Sequence, residues 1–486
     1  MYKLKPGATN PKFLIPYMGF IFCITFFDNI SLLIALPLIQ KDNDWTNSQA
    51  QWILTSFLVA TTSCAIPLSR LGEKLGFVNI QLLYLSLTIV LDIGMFFTIN
   101  FYGFLALRFL FGAVTAGLLG SKDILIRLLP NQENIQKSVF IMIQTGNYIC
   151  LIGPAFAGFL VQYIPWKYTF IIGIFFSLSS IVCLIFIEQP PIIQKNVKFD
   201  FIGSLLLVIF VLCFCFVFSF CALFKTVYAV ISLVLGCVFC TIFYFFEKRS
   251  ENPILNFKFC KNPVSTITIC CIIGFLILGC LNYVLTQFLY GKISQIGISG
   301  VQCGAQFLVI ILMIFIPRLQ KKILNRTIIL FAFASYAVFN LLLLVGINNI
   351  FCFISFYILA FTSANIFIQI LYPMALMSTP PMYISQVAAF PTFARTFGQS
   401  LAYSIFSMLL QVSKEGVIYC ILICGVCGFV GFLLSIFRLG VGSYENGKKA
   451  FRQEQVRKLE IDTAYEGIHE VLEDIEEGCE DLLTTE

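Results

Sequence analysis

The stretch LLLVIFVLCFC, residues Leu205–Cys215, contains eleven apolar side chains in a row. Strands of a membrane barrel alternate apolar with polar residues, because only one face of each strand meets lipid. A segment that is apolar on every side instead predicts a helix surrounded by apolar material. About 20 such residues span the roughly 30 Å hydrocarbon core of a bilayer. Leu205–Cys215 and its flanks, residues 201–223, therefore predict a transmembrane helix.

The composition of the whole chain supports this prediction. Its 486 residues are 59% hydrophobic and only 12% charged. Soluble domains are about 45–50% apolar and about 25% charged. The charged side chains are therefore too few to cover a surface that faces water. The sequence predicts an all-α integral membrane protein.

Fourteen apolar runs along the chain have the length of a membrane span. The division of residues 201–246 and the extent of 350–377 are the least constrained, so twelve or thirteen spans remain alternatives. The runs lie at residues 13–39, 52–69, 78–99, 102–123, 138–163, 168–187, 201–223, 226–246, 264–289, 300–317, 327–347, 350–377, 385–411 and 416–438.

Lys and Arg are distributed unevenly between these runs. With the N-terminus on the cytoplasmic side, cytoplasmic segments hold 23 of them and outer loops hold 5. Because positively charged loops stay in the cytoplasm, both termini are predicted to be cytoplasmic, in a plasma or bacterial inner membrane. The short basic segment Met1–Lys12 is expected to be retained. The net charge of +6 then belongs to one membrane face, and no nucleic-acid partner is expected.

The reactive side chains give no sign of a metal or cofactor. Most of the 19 Cys lie inside the apolar runs, without the spacing of metal ligands, and the single His469 lies in the C-terminal tail. Cys in such places is typically a small buried apolar residue. No phosphate-binding loop, His cluster or Ser/His/Asp constellation stands out. We therefore expect no cofactor, no metal site and no enzymatic activity.

Ionisable residues inside the spans are few, and each is a functional candidate because burying a charge in a membrane is costly. Asp28 lies deep in the first span, where loss of water favours a protonated carboxyl; a structural hydrogen bond is the alternative. Arg108 either serves the site or ties backbone carbonyls together. Asp92 is interpreted as structural or solvated near the outer end of its span. The remaining members of the set are Lys122, Asp123 and Arg395.

Several local patterns recur in the order found in a known family. Span 1 reads DNISLLIALPLI from Asp28 to Ile39, and the segment after span 2 reads SRLGEKLG from Ser69 to Gly76. Span 4 contains RFLFG from Arg108, span 5 contains GPAFAG from Gly153, and span 13 contains RTFG from Arg395. Together they resemble the major facilitator superfamily, specifically its fourteen-helix drug/proton antiporter branch.

The resemblance is incomplete at several motif positions. Ile30 and Leu33 stand where the branch has Thr and Asn in span 1. Glu73 and Lys74 replace the Asp and Arg of the loop after span 2, and Phe111 replaces the Gln of span 4. The order and spacing of the motifs over residues 13–440 carry the identification.

The resemblance implies two six-helix bundles that alternately open a central cavity to each side of the membrane. The implied division is 1–187 for the first bundle, 188–263 for two extra helices, 264–438 for the second bundle and 439–486 for an acidic cytoplasmic tail. It also implies roles for individual residues. The candidates for proton coupling or substrate binding are Asp28, Arg108 and Arg395. The candidates for the gating loop are Arg70, Glu73, Lys74 and Gly76. The candidates for the helix bend of the antiporter motif are Gly153, Pro154, Ala157 and Gly158.

The resemblance predicts a secondary active transporter that exports amphiphilic or cationic small molecules in exchange for protons. Its expected partners are the substrate, protons and the bilayer, and it is expected to work as a monomer. Two alternatives remain open. One is an importer or metabolite exchanger on the same fold, since fold does not fix function; the other is a membrane receptor or channel.

Overall fold

The computed structural model describes most of the membrane-spanning part of the chain. The described residues are 11–98, 100–127, 151–187, 200–222, 225–250, 264–320, 325–377, 384–412 and 415–439, with residues 253, 255, 257 and 323. Among them the regular structure is helical, apart from one bridge between Tyr290 and Ile293 in a turn. The acidic tail and residues 128–150 lie outside this set.

Fourteen long helices follow one another in these residues. The first, α1, consists of Pro11–Phe22, a π-helical turn Cys23–Phe27 and Asp28–Asn43. The others are α2 (Asn47–Leu75), α3 (Phe77–Phe97), α4 (Phe101–Arg127), α5 (Leu151–Tyr163), α6 (Thr169–Ile185), α7 (Phe201–Ala222), α8 (Thr226–Arg249), α9 (Val264–Leu289), α10 (Gln295–Gln320), α11 (Asn325–Gly346), α12 (Ile350–Met377), α13 (Ile384–Val412) and α14 (Gly416–Phe437).

These helices confirm the predicted all-α membrane fold. Among the described residues, ten segments are long and apolar enough to cross a bilayer, and the shorter apolar helices Leu151–Tyr163 and Ile202–Phe218 add to them. Residues 201–246 fall on two helices and residues 350–377 form one, as the count of fourteen requires. The protein is therefore a multi-pass membrane protein.

Several helices begin at side chains that cap them. Before α2, the Gln49 side chain accepts a hydrogen bond from the Thr46 backbone N–H at 2.9 Å, and the Thr46 hydroxyl accepts one from Gln49 N–H at 3.3 Å. This reciprocal pair satisfies backbone donors that an α-helix leaves free at its start. Asn100 accepts from Tyr102 N–H before α4, and Asn349 accepts from Phe351 N–H before α12. Polar residues between the apolar runs thus fix where the helices start.

The helices extend past the apolar runs that predict them. Residues 70–75, interpreted from the sequence as part of a loop, are the last turns of α2. That interpretation was wrong because an apolar run marks the membrane core, whereas a helix continues until its backbone is interrupted. The interruption here is Gly76, with φ 92° and ψ 137°. Only Gly adopts this backbone conformation without strain, and α3 begins at the next residue.

The helices pack in two groups. In the first, α2 packs along α4, α3 packs between α4 and α6, and α1 lies against α6. In the second, α9 packs against α12, α13 and α14, while α11 packs against α12 and α14. The two groups meet along α2 and α13, and α7 covers this contact by packing on both helices.

The other two helices complete the arrangement. A second contact between the groups joins α5 and α10, where Ile296 N–H donates to the Gln162 side chain at 3.1 Å. Helix α8 packs mainly on α7, and only 22% of its apolar stretch is buried. Such a surface is suited to lipid, because apolar side chains that face a bilayer do not need protein neighbours.

Candidate functional site

A buried ion pair joins α1 to α4. Arg108 Nη1 donates to Asp28 Oδ2 at 2.5 Å. The Arg108 side chain is completely buried, and Asp28 is 6% exposed. Two of the three predicted coupling residues are therefore in direct contact. Removing one partner of a buried pair costs about 3–5 kcal/mol, because the other charge stays buried without compensation.

The backbone just before Asp28 is irregular. Cys23–Phe27 form a π-helical turn, and both residues flanking it have ordinary helical dihedrals, so α1 continues through it. A π turn adds one residue to a helical turn and changes the direction in which the following side chains point. Asp28 is the first residue after it. Nothing in the sequence of this turn indicates the irregularity, and it was not predicted.

Arg108 lies between aromatic rings. Its guanidinium carbon is 5.0 Å from the centroid of Phe57 on α2 and 5.6 Å from that of Phe111 on its own helix. Aromatic faces attract a cation at such distances. Phe111, the residue that replaces Gln in the resembled motif, thus contributes a ring to the arginine. Within the described residues, Nε and Nη2 of Arg108 have no hydrogen-bond partner.

Gly112 brings α4 against α2 at this site. A Cβ on Gly112 would overlap the Phe57 carbonyl oxygen and lie 3.0 Å from the Phe57 Cα. The Thr61 hydroxyl, one turn further along α2, donates to the Gly112 carbonyl at 3.2 Å. Helices approach this closely only where a small residue faces the neighbouring backbone. The glycine therefore sets the distance between Phe57 and the guanidinium.

Asp92 on α3 belongs to the same charged cluster. Its side chain is 1% exposed, and it interacts electrostatically with both Asp28 and Arg108. Neither carboxylate oxygen has a hydrogen-bond partner among the described residues. Of the two alternatives predicted for Asp92, structural or solvated, the solvated one was therefore wrong, because α6 and α4 cover the side chain. The spacing of Gln81, Thr88 and Asp92, all buried, places them on one helix face and could have indicated this polar seam.

The third predicted coupling residue lies elsewhere. Arg395 is on α13, half-buried, with its guanidinium carbon 6.0 Å from the Phe275 ring of α9. Gly398, one turn later, packs so closely that a Cβ would lie 2.6 Å from the Ile272 carbonyl oxygen. The Arg-x-x-Gly sequence thus lies at the contact between α13 and α9. The structure assigns Arg395 to the second group of helices, apart from the pair formed by Asp28 and Arg108.

The two predicted conformational motifs occupy different places. Arg70, Glu73 and Lys74 lie at the end of α2, and their side chains are outside the described set. On α5, Gly153, Pro154, Ala157 and Gly158 are all buried. Ala157 packs with Phe27 and Ile34 of α1. A Cβ on Gly158 would overlap the Ser299 hydroxyl of α10. The motif on α5 therefore lies between α1 and the second group of helices.

A neutral polar cluster occurs in the second group. Asn282 Oδ1 on α9 accepts hydrogen bonds from Gln302 Nε2 on α10 at 3.0 Å and from the Tyr357 hydroxyl on α12 at 3.4 Å. Gln302 is 4% exposed, and its Oε1 has no partner among the residues the structure covers. This cluster was not predicted from the sequence, because a neutral amide inside a span is less conspicuous than a charge.

No group of three His, Cys, Asp or Glu side chains that could hold a metal occurs among the described residues. The chemistry that this arrangement offers is therefore ionic and hydrogen-bonding. In the first helix group one buried guanidinium contacts one carboxyl group and interacts electrostatically with a second. In the second group neutral amides and a phenol are hydrogen-bonded to one another.

Sequence comparison relates most of the chain to one family. The Major Facilitator Superfamily profile matches residues 18–403. An efflux pump of Aspergillus brasiliensis, bfoC, is 28% identical over 200 residues, which are 40% of this chain and 35% of that protein. The riboflavin transporter RibZ of Clostridioides difficile is 29% identical over 199 residues, 38% of this chain and 42% of that protein. The matched part thus spans between a third and a half of each relative.

Solved structures share the arrangement of helices. A D-xylose–proton symporter superimposes with a TM-score of 0.63 at 11% identity, covering 87% of this chain and 96% of the symporter. A POT family transporter in complex with 5-aminolevulinic acid gives a TM-score of 0.63 at 14% identity, covering 88% and 95%. At these identities the similarity establishes the fold.

Proposed function

This chain belongs to the major facilitator superfamily and is therefore a transporter and not an enzyme, and we propose that it exports amphiphilic or cationic small molecules in exchange for protons. The relatives that are named efflux pumps support export. Alternating access by the two helix groups is the expected mechanism.

The observation that carries this proposal is the buried pair of Asp28 and Arg108. A carboxylate that is neutralised by one guanidinium can also be neutralised by a proton or by a cationic ligand. Helix α1, which carries Asp28, contacts α9 and α10 of the other group. A change in the contact between the groups therefore acts on the helix that holds the carboxylate.

A second candidate function is transport of a neutral metabolite. The cluster of Asn282, Gln302 and Tyr357 offers amide and hydroxyl groups without charge. Such groups suit a ligand that is recognised by hydrogen bonds. The riboflavin transporter among the relatives supports this alternative. A cation exporter should depend on Asp28, whereas a transporter of neutral compounds should depend more on the amides.

The proposed division of the chain is two six-helix bundles, residues 1–187 and 264–438, with an insertion at 188–263 and a tail at 439–486. Two of the contacts between the groups, α2 with α13 and α5 with α10, support this division because each pairs the second helix of one half with the fifth helix of the other. The distribution of Lys and Arg supports cytoplasmic termini in a cell membrane. We propose that a monomer is sufficient, because both groups belong to one chain.

The motifs at the ends and contacts of helices fit roles in the conformational change. Gly76 breaks the backbone between α2 and α3, and Arg70, Glu73 and Lys74 precede it on α2. Gly158, the last residue of the motif that begins at Gly153, forms the close contact between α5 and α10. We assign the first set to gating and the second to the surface along which the two groups move.

Transport by purified protein in sealed liposomes tests the proposal. With an imposed proton gradient, wild-type protein should move tetraphenylphosphonium, a lipophilic cation, against its concentration gradient. Asp28→Asn should still fold, because Asn has nearly the same volume and still hydrogen-bonds, although the uncompensated charge of Arg108 lowers its stability. It should lose uphill transport. Asp28→Glu should retain part of it.

Asp200→Asn is the matched control. Asp200 accepts the Gly203 N–H at 2.7 Å at the start of α7, and Asn caps helices about as well as Asp does. The control variant should transport at the wild-type rate. Uphill transport by Asp28→Asn at the wild-type rate would show that Asp28 is structural. Failure of the wild type to move any of a panel of lipophilic cations, with uptake of neutral metabolites instead, would favour the second candidate.

A further inference from the structure

We propose that Asp92 carries the proton that is exchanged, and that Asp28 binds the positive charge of the substrate. This assignment rests on the proposed function, because it divides between two carboxyl groups the tasks that cation/proton exchange requires. It follows from the burial and contacts of Asp92 in the charged cluster of α1, α3 and α4.

The surroundings of Asp92 favour its neutral form. Its side chain is 1% exposed, and neither oxygen accepts a hydrogen bond from any described residue. A carboxylate that is removed from water without donors or an adjacent cation is strongly unfavourable, whereas a protonated carboxyl is tolerated. The nearby guanidinium of Arg108 is already in contact with Asp28.

The charged groups that face Asp92 are few. Arg108 of α4 and Asp28 of α1 both interact with it electrostatically. Residues 169–185 of α6 and residues 47–69 of α2, which also pack on α3, contain no Asp, Glu, Lys, Arg or His. The turn Trp166–Tyr168 packs on α3 as well, and its Lys167 ammonium lies 5.7 Å from the centroid of the Trp166 ring. One positive charge therefore stands against two carboxyl groups. The cluster is neutral when Asp28 is ionised and Asp92 holds a proton.

Space for the Asp92 carboxyl is provided by α6. A Cβ on Gly173 would lie 2.7 Å from Asp92 Oδ2, so any larger residue there would displace the carboxyl. One turn away, Thr88 and Ser177 share a hydrogen bond of 3.1 Å that joins the same two helices. The contact between α3 and α6 thus fixes the position of the buried carboxyl.

Exchange follows from keeping the cluster neutral. When a monovalent cation binds Asp28, the cluster of Asp28, Arg108 and the ligand gains one positive charge. Neutrality is restored if the O–H bond of Asp92 breaks, its proton leaves to water, and Arg108 pairs with the Asp92 carboxylate. Nε and Nη2 of Arg108, which have no partner among the described residues, are available for that contact. Binding of a proton to Asp92 reverses the sequence and releases the cation.

The first experiment needs no substrate. The unfolding temperature of the purified protein is measured from about pH 5.5 to about pH 8.5, and the wild-type protein should lose stability as pH rises, because the folded state binds a proton that the unfolded state has already lost. Asp92→Asn is neutral at every pH, so this loss should disappear. Thr88→Ala removes a hydrogen bond at the same helix contact. It should lower the unfolding temperature at every pH but leave the decrease of that temperature with pH unchanged.

The second experiment measures protons released when tetraphenylphosphonium binds in weakly buffered detergent solution. The wild-type protein should release about one proton per bound cation, and its affinity should rise by up to about tenfold per pH unit. Asp92→Asn should bind the cation weakly, release no proton and show no pH dependence. Asp92→Glu should retain the release with a displaced pH profile. Gly173→Ala, which crowds the carboxyl without changing charge, should also displace the profile.

The two experiments separate this inference from the proposed function. If Asp92→Asn keeps both the wild-type slope of stability with pH and the proton release, Asp92 is a structural residue and the inference is wrong. If the wild type binds no cation but Asp92→Asn removes the dependence of stability on pH, Asp92 holds the proton and the proposed substrate class is wrong. If Asp28→Asn, and not Asp92→Asn, removes that dependence, the proton resides on Asp28.

Discussion

Gly158 of α5 and Ser299 of α10 meet so closely that a methyl group on the glycine would overlap the serine hydroxyl. The same Cβ would lie 3.0 Å from the Gln295 carbonyl oxygen. This contact joins the two groups of helices, together with a hydrogen bond that Cys303 Sγ donates to the Leu151 carbonyl at 3.1 Å. A contact of backbone against side chain has little room to adapt. It is therefore a place where one conformation of the transporter can be made less stable by a small substitution.

Gly158→Ala should disfavour the conformation seen here by about 1–3 kcal/mol, the usual cost of adding a methyl group to a packed contact. A shift of this size changes the population of two conformations substantially. We expect slower transport and a lower unfolding temperature in detergent. Both are measured on purified protein.

Gly153→Ala is the control, because it lies in the same motif but its Cβ would meet nothing closer than 4.0 Å, at Ile30 and Phe27. It should leave both the unfolding temperature and transport close to wild type. Equal effects of the two substitutions would show that the motif acts through backbone flexibility and not through the contact with Ser299.

Gly112→Ala tests the contact between α2 and α4 beside Arg108. The added Cβ would collide with the Phe57 carbonyl, so the helices must separate and Phe57 must move away from the guanidinium. We expect a loss of stability of about 1–3 kcal/mol and reduced transport. Gly304→Ala on α10, where a Cβ meets nothing within 4 Å, should be neutral or stabilising by up to about 1 kcal/mol, since Ala favours helix over Gly. A tolerated Gly112→Ala would show that the close approach is not required.

The sequence predicts the helices well and the site in part, for physical reasons. A membrane span must be apolar over its length, so each helix can be recognised in the sequence as an apolar run. A charge inside a span is costly, so Asp28 and Arg108 are recognised as candidates. Their contact could not be predicted, because the two residues are 80 positions apart in the sequence and meet only through the packing of their helices. The π turn before Asp28 has no sequence signal. The solvated alternative for Asp92 was wrong because position along a span gives depth in the membrane, whereas the surroundings of the side chain include Gly173 on another helix.

The topology predicts that Asn43 and Lys321 lie on opposite faces of the membrane. Asn43 ends α1, and Asp44 follows with a left-handed backbone at φ 53°. Lys321 directly follows Gln320, the last residue of α10. An odd number of crossings separates the two, so an epitope inserted after Asn43 should be accessible on intact cells. An epitope after Lys321 should become accessible only when the cells are permeabilised. Accessibility of both epitopes on one side would exclude the fourteen-helix topology.

Substitution of Arg108 tests the buried pair directly. Arg108→Ala leaves the Asp28 carboxylate buried without a partner, which should cost about 3–5 kcal/mol and lower the unfolding temperature. The loss should be smaller in acid than at neutral pH, because a protonated Asp28 no longer needs a cation. Arg108→Lys should recover part of the stability but not all of it. The ammonium replaces the charge, whereas the planar guanidinium that lies against Phe57 and Phe111 is lost.

Arg318→Ala is the control, since Arg318 is exposed at the end of α10 and exposed charges contribute little. Equal losses for Arg108→Ala and Arg318→Ala, or a loss at Arg108 that does not vary with pH, would show that the pair does not hold α1 against α4.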